Sequence, residues 1–246
     1  MYNEKKLSII VPVYRLEKEI SKNLKRMKTK ISAFIPNYEI IVVVDGTIDH
    51  SYEEAKKVSG IKVFGYRKNQ GKGYALKYGF YKSHGELVTF MDADTDIDPS
   101  QLRLFYNHLS SSDLIIGNKR HPFSKVKYPL NRRLISLGYS IMIRMLFGMK
   151  IHDTQTGIKL FKREVLEVIL PMVLVKRFAF DLELCFLAHK HGFRIVEAPV
   201  NIRKGFSKST VKFSDITSVF LDTLAIWYRY HIKKYYQHKF YEEFYR

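Results

Sequence analysis

Glu86-Leu87-Val88-Thr89-Phe90-Met91-Asp92-Ala93-Asp94-Thr95-Asp96 is the stretch on which the reading of this chain turns. A short apolar run of β-type residues stops abruptly and carboxylates follow at alternate positions. Side chains two apart on an extended segment point the same way, so Asp92, Asp94 and Asp96 can converge just past the end of a strand. Bare carboxylates repel one another unless something cationic sits among them. Hard oxygen ligands suit Mg²⁺ or Mn²⁺, and Mg²⁺ commonly takes one or two carboxylates together with phosphate oxygens. The stretch therefore points to a metal-bound phosphorylated ligand. A solvated loop, with Asp98 as the N-cap of a helix that starts at Pro99, accounts for the same letters.

The surroundings of that stretch set the fold class. Leu7 to Tyr14 and Tyr38 to Val44 read as buried parallel-type strands, with a third at Ile61 to Tyr66, a fourth at Leu87 to Met91 and a fifth at Leu114 to Gly117. Helical patterns over 17–34, 50–58 and 72–83 separate the first four. This β-α-β order over residues 1–117 predicts an α/β fold, a mostly parallel Rossmann-like sheet flanked by helices with right-handed crossovers. Ligands bind such sheets outside the carboxyl ends of the strands. Pro12-Val13-Tyr14, Asp45-Gly46 and Asp92-Ala93-Asp94 all fall there. Lys72, between Gly71 and Gly73, is placed to set an ammonium against a diphosphate, although Gly-Lys-Gly is also an ordinary turn before a helix.

Residues 118–212 read as more helical, with helices over 129–149, 162–170 and 180–190 and a short strand at Arg194 to Glu197. A final helix spans 214–240. We divide the chain into 1–212, made of a nucleotide-binding half (1–117) and an acceptor-binding half (118–212), and a C-terminal amphipathic extension, 213–246.

The 246 residues hold 46% hydrophobic and 14% aromatic side chains, enough for a sizeable core. The formal charge of +18 calls for an anionic partner. Zinc-finger spacing, an RNP-like motif and basic heptads are all missing, so a membrane surface or phosphate ligands are expected rather than nucleic acid. The single cysteine, Cys185, excludes an internal disulfide and fits a reducing compartment. The chain shows no signal-peptide pattern and no long uncharged apolar window, so no spanning helix is expected. The scattered histidines, His121 among them, read as surface residues.

Longer motifs add a resemblance. Ile10-Val11-Pro12-Val13-Tyr14, Val44-Asp45-Gly46-Thr47-Ile48-Asp49, Asn69-Gln70-Gly71-Lys72-Gly73 and Asp92-Ala93-Asp94 resemble the motifs of family 2 glycosyltransferases with the GT-A fold, over about Leu7 to Lys208. Gly117-Asn118-Lys119-Arg120, Arg132-Arg133, Asp153-Thr154-Gln155-Thr156-Gly157-Ile158-Lys159-Leu160-Phe161 and Arg177 to Glu183 resemble the branch that glycosylates dolichyl or polyprenyl phosphate, in a form similar to dolichyl-phosphate glucosyltransferases. Two positions depart from the pattern: Val44 replaces the first Asp of the Asp-Asp pair, and Arg15-Leu16 replaces Asn-Glu.

The resemblance implies an inverting, metal-dependent hexosyltransferase that uses a nucleotide sugar such as UDP-glucose. The alternatives are a GDP-mannose-dependent mannosyltransferase on the same lipid and a glycosyltransferase with a soluble or glycan acceptor. Pro12, Val13, Tyr14, Asp45, Lys72, Asp92 and Lys208 would bind the donor. Asp92, Asp94 and Asp96 would hold the metal, with Asp94, Asp153, Gln155 and Arg132 at the chemistry. An anionic lipid phosphate needs orienting cations rather than a strong base, and Lys119, Arg120, Arg132 and Arg133 are the candidates. Aromatic and basic residues mix over 216–237, as in an interfacial helix. The expected location is the cytoplasmic face of a membrane, held peripherally, with a membrane-spanning partner as a possible anchor.

Overall fold

The computed structural model describes residues 5–126, 130–177, 179–202 and 213–237, apart from the side chains of 130–132 and 213–216. In chain order the elements are β1 (Leu7–Val13), α1 (Ile20–Ser32), β2 (Tyr38–Asp45), α2 (Ser51–Lys56), β3 (Lys62–Tyr66), α3 (Lys72–Tyr81), β4 (Leu87–Met91), α4 (Leu102–Tyr106), β5 (Leu114–Asn118), α5 (Leu130–Phe147), β6 (Ile158–Lys162), α6 (Arg163–Ile169), α7 (Phe180–Lys190), β7 (Ile195–Pro199) and α8 (Phe213–His231). The strands form one sheet in the order β3-β2-β1-β4-β6-β5-β7. All pairings are parallel except those of β6, which runs antiparallel to both β4 and β5.

The apolar runs of β1, β2 and β4 bury both faces, as a sheet covered by helices on each side requires. One face packs Ile10, Val88, Phe90 and Ile116 against Leu76, Phe147, Phe180 and Phe186 from α3, α5 and α7. The other packs Ile9, Val11, Val42 and Ile115 against Leu24, Met27, Ile31 and Phe105 from α1 and α4. Asp98 does cap the turn at Pro99–Gln101, its carboxylate accepting the Ser100 N–H.

Three features depart from the sequence reading. Residues 158–162 are a strand rather than part of a loop before a helix. Lys159 hides it: a lysine inside an apolar run breaks the strand pattern, yet here its side chain is only 1% exposed and lies in an ion pair. The helix around Cys185, whose sequence reads as half-buried, is buried on all sides, with every residue from Phe180 to Ala188 inside. Burial pushes the Cys185 thiol up to about 12, which suits an inert core thiol. Finally, α8 is more than a surface extension. Thr223 and Ile226 are fully buried, and Tyr236 just beyond the helix is nearly so. The helix ends at His231. None of the described helices is long and apolar enough to cross a membrane.

Candidate active site

The carboxyl ends of β1, β2, β4 and β5 and the start of β6 meet at one edge of the sheet. A cleft of about 170 Å³ opens there, lined by Met91, Asp92, Asp94, Asp96, Ile97, Lys119, Gln155, Thr156, Gly157 and Ile202. The Asp-x-Asp turn and the Asp153–Phe161 motif are thus two walls of a single site. Their contact is close: the Asp92 N–H donates to the Gly157 carbonyl, and a Cβ at position 157 would stand 1.8 Å from the Asp92 carboxylate. Only glycine leaves room for that carboxylate.

The turn itself is held under strain. Thr95, a β-branched residue, has φ of +57° between Asp94 and Asp96. That left-handed conformation costs on the order of 1–3 kcal/mol and persists only where the surroundings enforce it. The Asn23 amide on α1 donates to the Ala93 carbonyl at 3.0 Å, and the Asp96 N–H donates to the Asp94 carboxylate at 3.0 Å. The Asp94 carboxyl is raised to about 6, first by desolvation in the cleft and then by the Asp92 charge. A carboxyl crowded in this way gains from a nearby cation.

Asp92 already has one. Lys72 Nζ lies 2.7 Å from Asp92 and 4.0 Å from Asp181. Burial alone would lower the Lys72 pKa, but those two carboxylates outweigh it and the net shift is upward. Asp181 in turn pairs with buried Lys159 at 2.5 Å, and Lys159 also donates to the Thr156 carbonyl. A ladder of alternating charge, Asp92–Lys72–Asp181–Lys159, therefore runs from the cleft into the core. Lys72 is the first residue of α3, where the helix dipole disfavours a cation. Its place there serves the cleft and not the helix.

Several expected site residues have other tasks. The Asp45 carboxylate accepts from the Asn69 amide at 3.0 Å and from the Gln70 and Gly71 N–H groups at 2.7 and 2.9 Å. Most of the acceptor capacity of Asp45 is spent on holding the Asn69–Gly71 loop. Val13 is 1% exposed and its side chain packs in the core. Pro12 is half-buried at the same strand end, and exposed Tyr14 lies under the Arg15 guanidinium at 5.2 Å. Asp153 is 5% exposed, and it accepts from the Lys119 N–H, the Gln155 N–H and the Thr156 hydroxyl. Burial would raise its carboxyl, but Lys119, 3.4 Å away, and these donors hold it below the usual range. Asp153 thus fixes the backbone of Lys119 and Gln155 beside the cleft. Gln155 itself does line the cleft.

Asp92, Asp94 and Asp96, the expected metal ligands, all line this cleft. Among the described residues, no three His, Cys, Asp or Glu side chains are grouped to hold an ion. Asp96 lines the cleft, but its backbone serves Asp94. The arrangement fits a divalent ion held by Asp92 and Asp94 with the remaining positions filled by a diphosphate, since Mg²⁺ rarely relies on an all-protein cage.

A second, larger cleft of about 380 Å³ lies alongside, lined by Lys119, Arg120, His121, Val126, Arg133, Ser136 and Leu137. Lys119, Arg120 and Arg133 converge there as expected. Arg120 is braced by donating to the Ser136 carbonyl of α5 at 3.2 Å. His121, read from sequence as a surface residue, lines this cleft too; a lone histidine on a loop carries no signal of such a neighbourhood. The Arg132 side chain and Lys208 lie outside the described residues. Lys119 lines both clefts, and so joins an acidic chamber to a basic one.

Comparison with known proteins agrees with this architecture. The profile of glycosyl transferase family 2 matches residues 8–170, well over half of the chain. The chain belongs to that family. It is 31% identical to a dolichyl-phosphate β-glucosyltransferase of Dictyostelium discoideum, over 91% of this chain and 74% of the relative. It is also 31% identical to the human dolichyl-phosphate β-glucosyltransferase, over 92% and 76%. Among solved structures, glucosyl-3-phosphoglycerate synthase from Mycobacterium tuberculosis, in complex with Mn²⁺, UDP and phosphoglyceric acid, superimposes with a TM-score of 0.72 at 17% identity, covering 91% of this chain and 78% of the other. The fold of this family 2 glycosyltransferase is therefore GT-A, and the protein is a hexosyltransferase.

Proposed function

We propose that this glycosyltransferase moves a hexose from a nucleotide sugar, UDP-glucose first among the candidates, onto the phosphate of a dolichyl or polyprenyl lipid. The observation that carries the reading is the pair of clefts sharing Lys119, one acidic with Lys72 beside it, the other lined by cations and open toward α5. A nucleoside diphosphate suits the first chamber and a monoanionic or dianionic phosphate suits the second. The names of the relatives, dolichyl-phosphate β-glucosyltransferases, support that acceptor.

In this scheme Lys119 and Arg133 orient an acceptor phosphate oxygen toward the anomeric carbon at the boundary between the clefts. That oxygen forms the new bond as the bond from the anomeric carbon to the diphosphate breaks, a single displacement that inverts the sugar. The phosphate is already anionic, so no base has to remove a proton. Lys72 meets the charge that grows on the departing diphosphate. Asp92 and Asp94 would hold Mg²⁺ or Mn²⁺, which when bound supplies Lewis-acid neutralisation of that charge.

The lipid calls for a surface to dock on. Leu134, Ile135, Ile141 and Met145 on α5 and Leu221, Tyr228 and Ile232 on or just after α8 are exposed, with Met145 81% exposed. Arg133, Arg144, Lys233 and Lys234 are exposed on the same two segments. A linked Tyr139–Thr223 hydroxyl pair, 3.2 Å apart, holds the two helices together. Apolar side chains rimmed by cations suit the interface of an anionic leaflet, where each Lys or Arg contributes on the order of 1 kcal/mol. In this scheme that face rests on the cytoplasmic leaflet and brings the basic cleft to the lipid phosphate.

The test is to incubate the protein with sugar-labelled UDP-glucose, Mg²⁺ or Mn²⁺ and polyprenyl phosphate in detergent. The expected product is an acid-labile glycolipid of inverted configuration, with GDP-mannose giving less. Transfer only to soluble acceptors, or none to lipid from any donor, overturns the reading.

A further inference from the structure

We propose that Arg229 and Tyr236, on the C-terminal segment and far from the cleft in sequence, are positioning residues that hold the diphosphate-facing Lys72 in place through the buried carboxylate of Glu183. The inference rests on the donor reading above for what Lys72 does.

The chain of contacts is continuous. Glu183 on α7 is fully buried. One carboxylate oxygen accepts from the Arg229 guanidinium at 3.2 Å and from the Tyr236 hydroxyl at 2.5 Å; the other accepts from the Leu174 and Val175 N–H groups at 3.0 and 2.7 Å. The C-terminal segment and the 174–176 stretch of chain are thus fastened to one carboxylate. The next residue, Lys176, turns its carbonyl onto the N-terminus of α3, where it accepts from the Gly73 and Tyr74 N–H groups at 2.8 and 3.3 Å. No side chain caps that helix, so this carbonyl does so in its place.

Lys72 sits inside that clasp. A Cβ on Gly71 would stand 2.4 Å from the Lys176 carbonyl, and one on Gly73 would stand 2.5 Å from Phe180 of α7. The glycines on either side of Lys72 leave room for the 174–176 stretch and for Phe180 to press against them. Any shift of that segment moves the backbone from which Lys72 reaches Asp92. Glu183 is the group that fixes the segment, and a buried carboxylate holds its position only while all its donors remain. Two of those donors come from the C-terminal segment.

The test uses the full chain carrying Arg229→Met or the milder Tyr236→Phe, with Leu109→Val, in the core on the opposite face of the sheet, as a control for lost stability. Hydrogen exchange at the Gly73, Tyr74, Leu174 and Val175 amides is read together with Mn²⁺-dependent UDP binding by calorimetry. The expected result is faster exchange at those four amides and UDP affinity weaker by about five- to tenfold, with the acceptor KM unchanged and the control normal on both readouts. If the Arg229 and Tyr236 variants lower the melting temperature while exchange at Gly73 and Tyr74 stays native, the proposal is overturned. It is also overturned if UDP affinity falls equally in the control. A native protein that binds no UDP refutes the donor reading instead, and the exchange data then still decide whether the clasp exists.

Discussion

The two ends of the sheet use carboxylates in opposite ways. At the amino end, Glu39 accepts from the Ser8 hydroxyl, the His84 N–H and Lys62, with Lys6 nearby. Burial would raise its carboxyl, yet these partners hold it at about 2. Asp113, just before β5, is likewise held well below the usual range by Arg194, with Lys162 assisting. At the carboxyl end, Asp94 is raised to about 6 by desolvation and by Asp92. The difference teaches which acids hold the fold together and which are kept in an unfavourable state for a ligand. Structural carboxylates are satisfied within the chain. Asp94 in the cleft is crowded by a like charge instead.

The largest effect that would test this contrast is at Asp94. Asp94→Asn is expected to lower kcat/KM by at least about a hundredfold, through lost neutralisation of the leaving group. Its melting temperature should stay level or rise, because a repelled charge is removed. A clear drop in melting temperature would break the contrast. Next comes Lys72→Met, for which donor KM is expected to rise about ten- to a hundredfold, the worth of a charged hydrogen bond or two. Titrating the nucleotide sugar at fixed metal checks it, and an unchanged KM would remove Lys72 from the donor site.

Glu39→Gln should do the reverse of Asp94→Asn: native kcat/KM, and stability lower by up to about 3 kcal/mol at neutral pH in denaturant unfolding. The smallest effects are in the pH profile, where the two ends have opposite signs. Because the Glu39 carboxyl is depressed in the folded state, its stabilisation is present above about pH 4.5 and fades as pH falls toward 2. The Asp94 carboxyl is raised, so folding gains from its protonation below about pH 4 and loses that gain as pH rises through about 6. Metal-dependent UDP binding should therefore weaken as pH falls through about 6, since a proton competes with the cation. A flat affinity between pH 5 and 7 would count against Asp94 as a ligand.

Much of the fold was legible because its cause is local. Apolar runs at Leu7, Tyr38 and Leu87 bury both faces of strands, and the helices at 20–32 and 72–81 have short connections that leave little choice of topology. The cleft could be located for the same reason, since three polar motifs each follow a strand. β6 escaped because Lys159 looks solvated until Asp181, twenty-two positions later, is folded against it. Asp45 was placed at the right end of the sheet by its strand and Asp153 near the chemistry by the resemblance, but only their folded neighbours show that their oxygens accept from backbone N–H groups.

From the sequence alone came the α/β class, the edge of the sheet where chemistry occurs, and the residue types that chemistry needs. Periodicity and strand-end position are properties of consecutive residues, and consecutive residues suffice to show them. The tertiary structure decided which acids are neutralised, that Lys119 stands between two chambers, and that the C-terminal segment grips Glu183 behind Lys72. Those outcomes depend on electrostatic fields and hydrogen bonds between residues far apart in the chain. Such fields do not exist until the chain is packed.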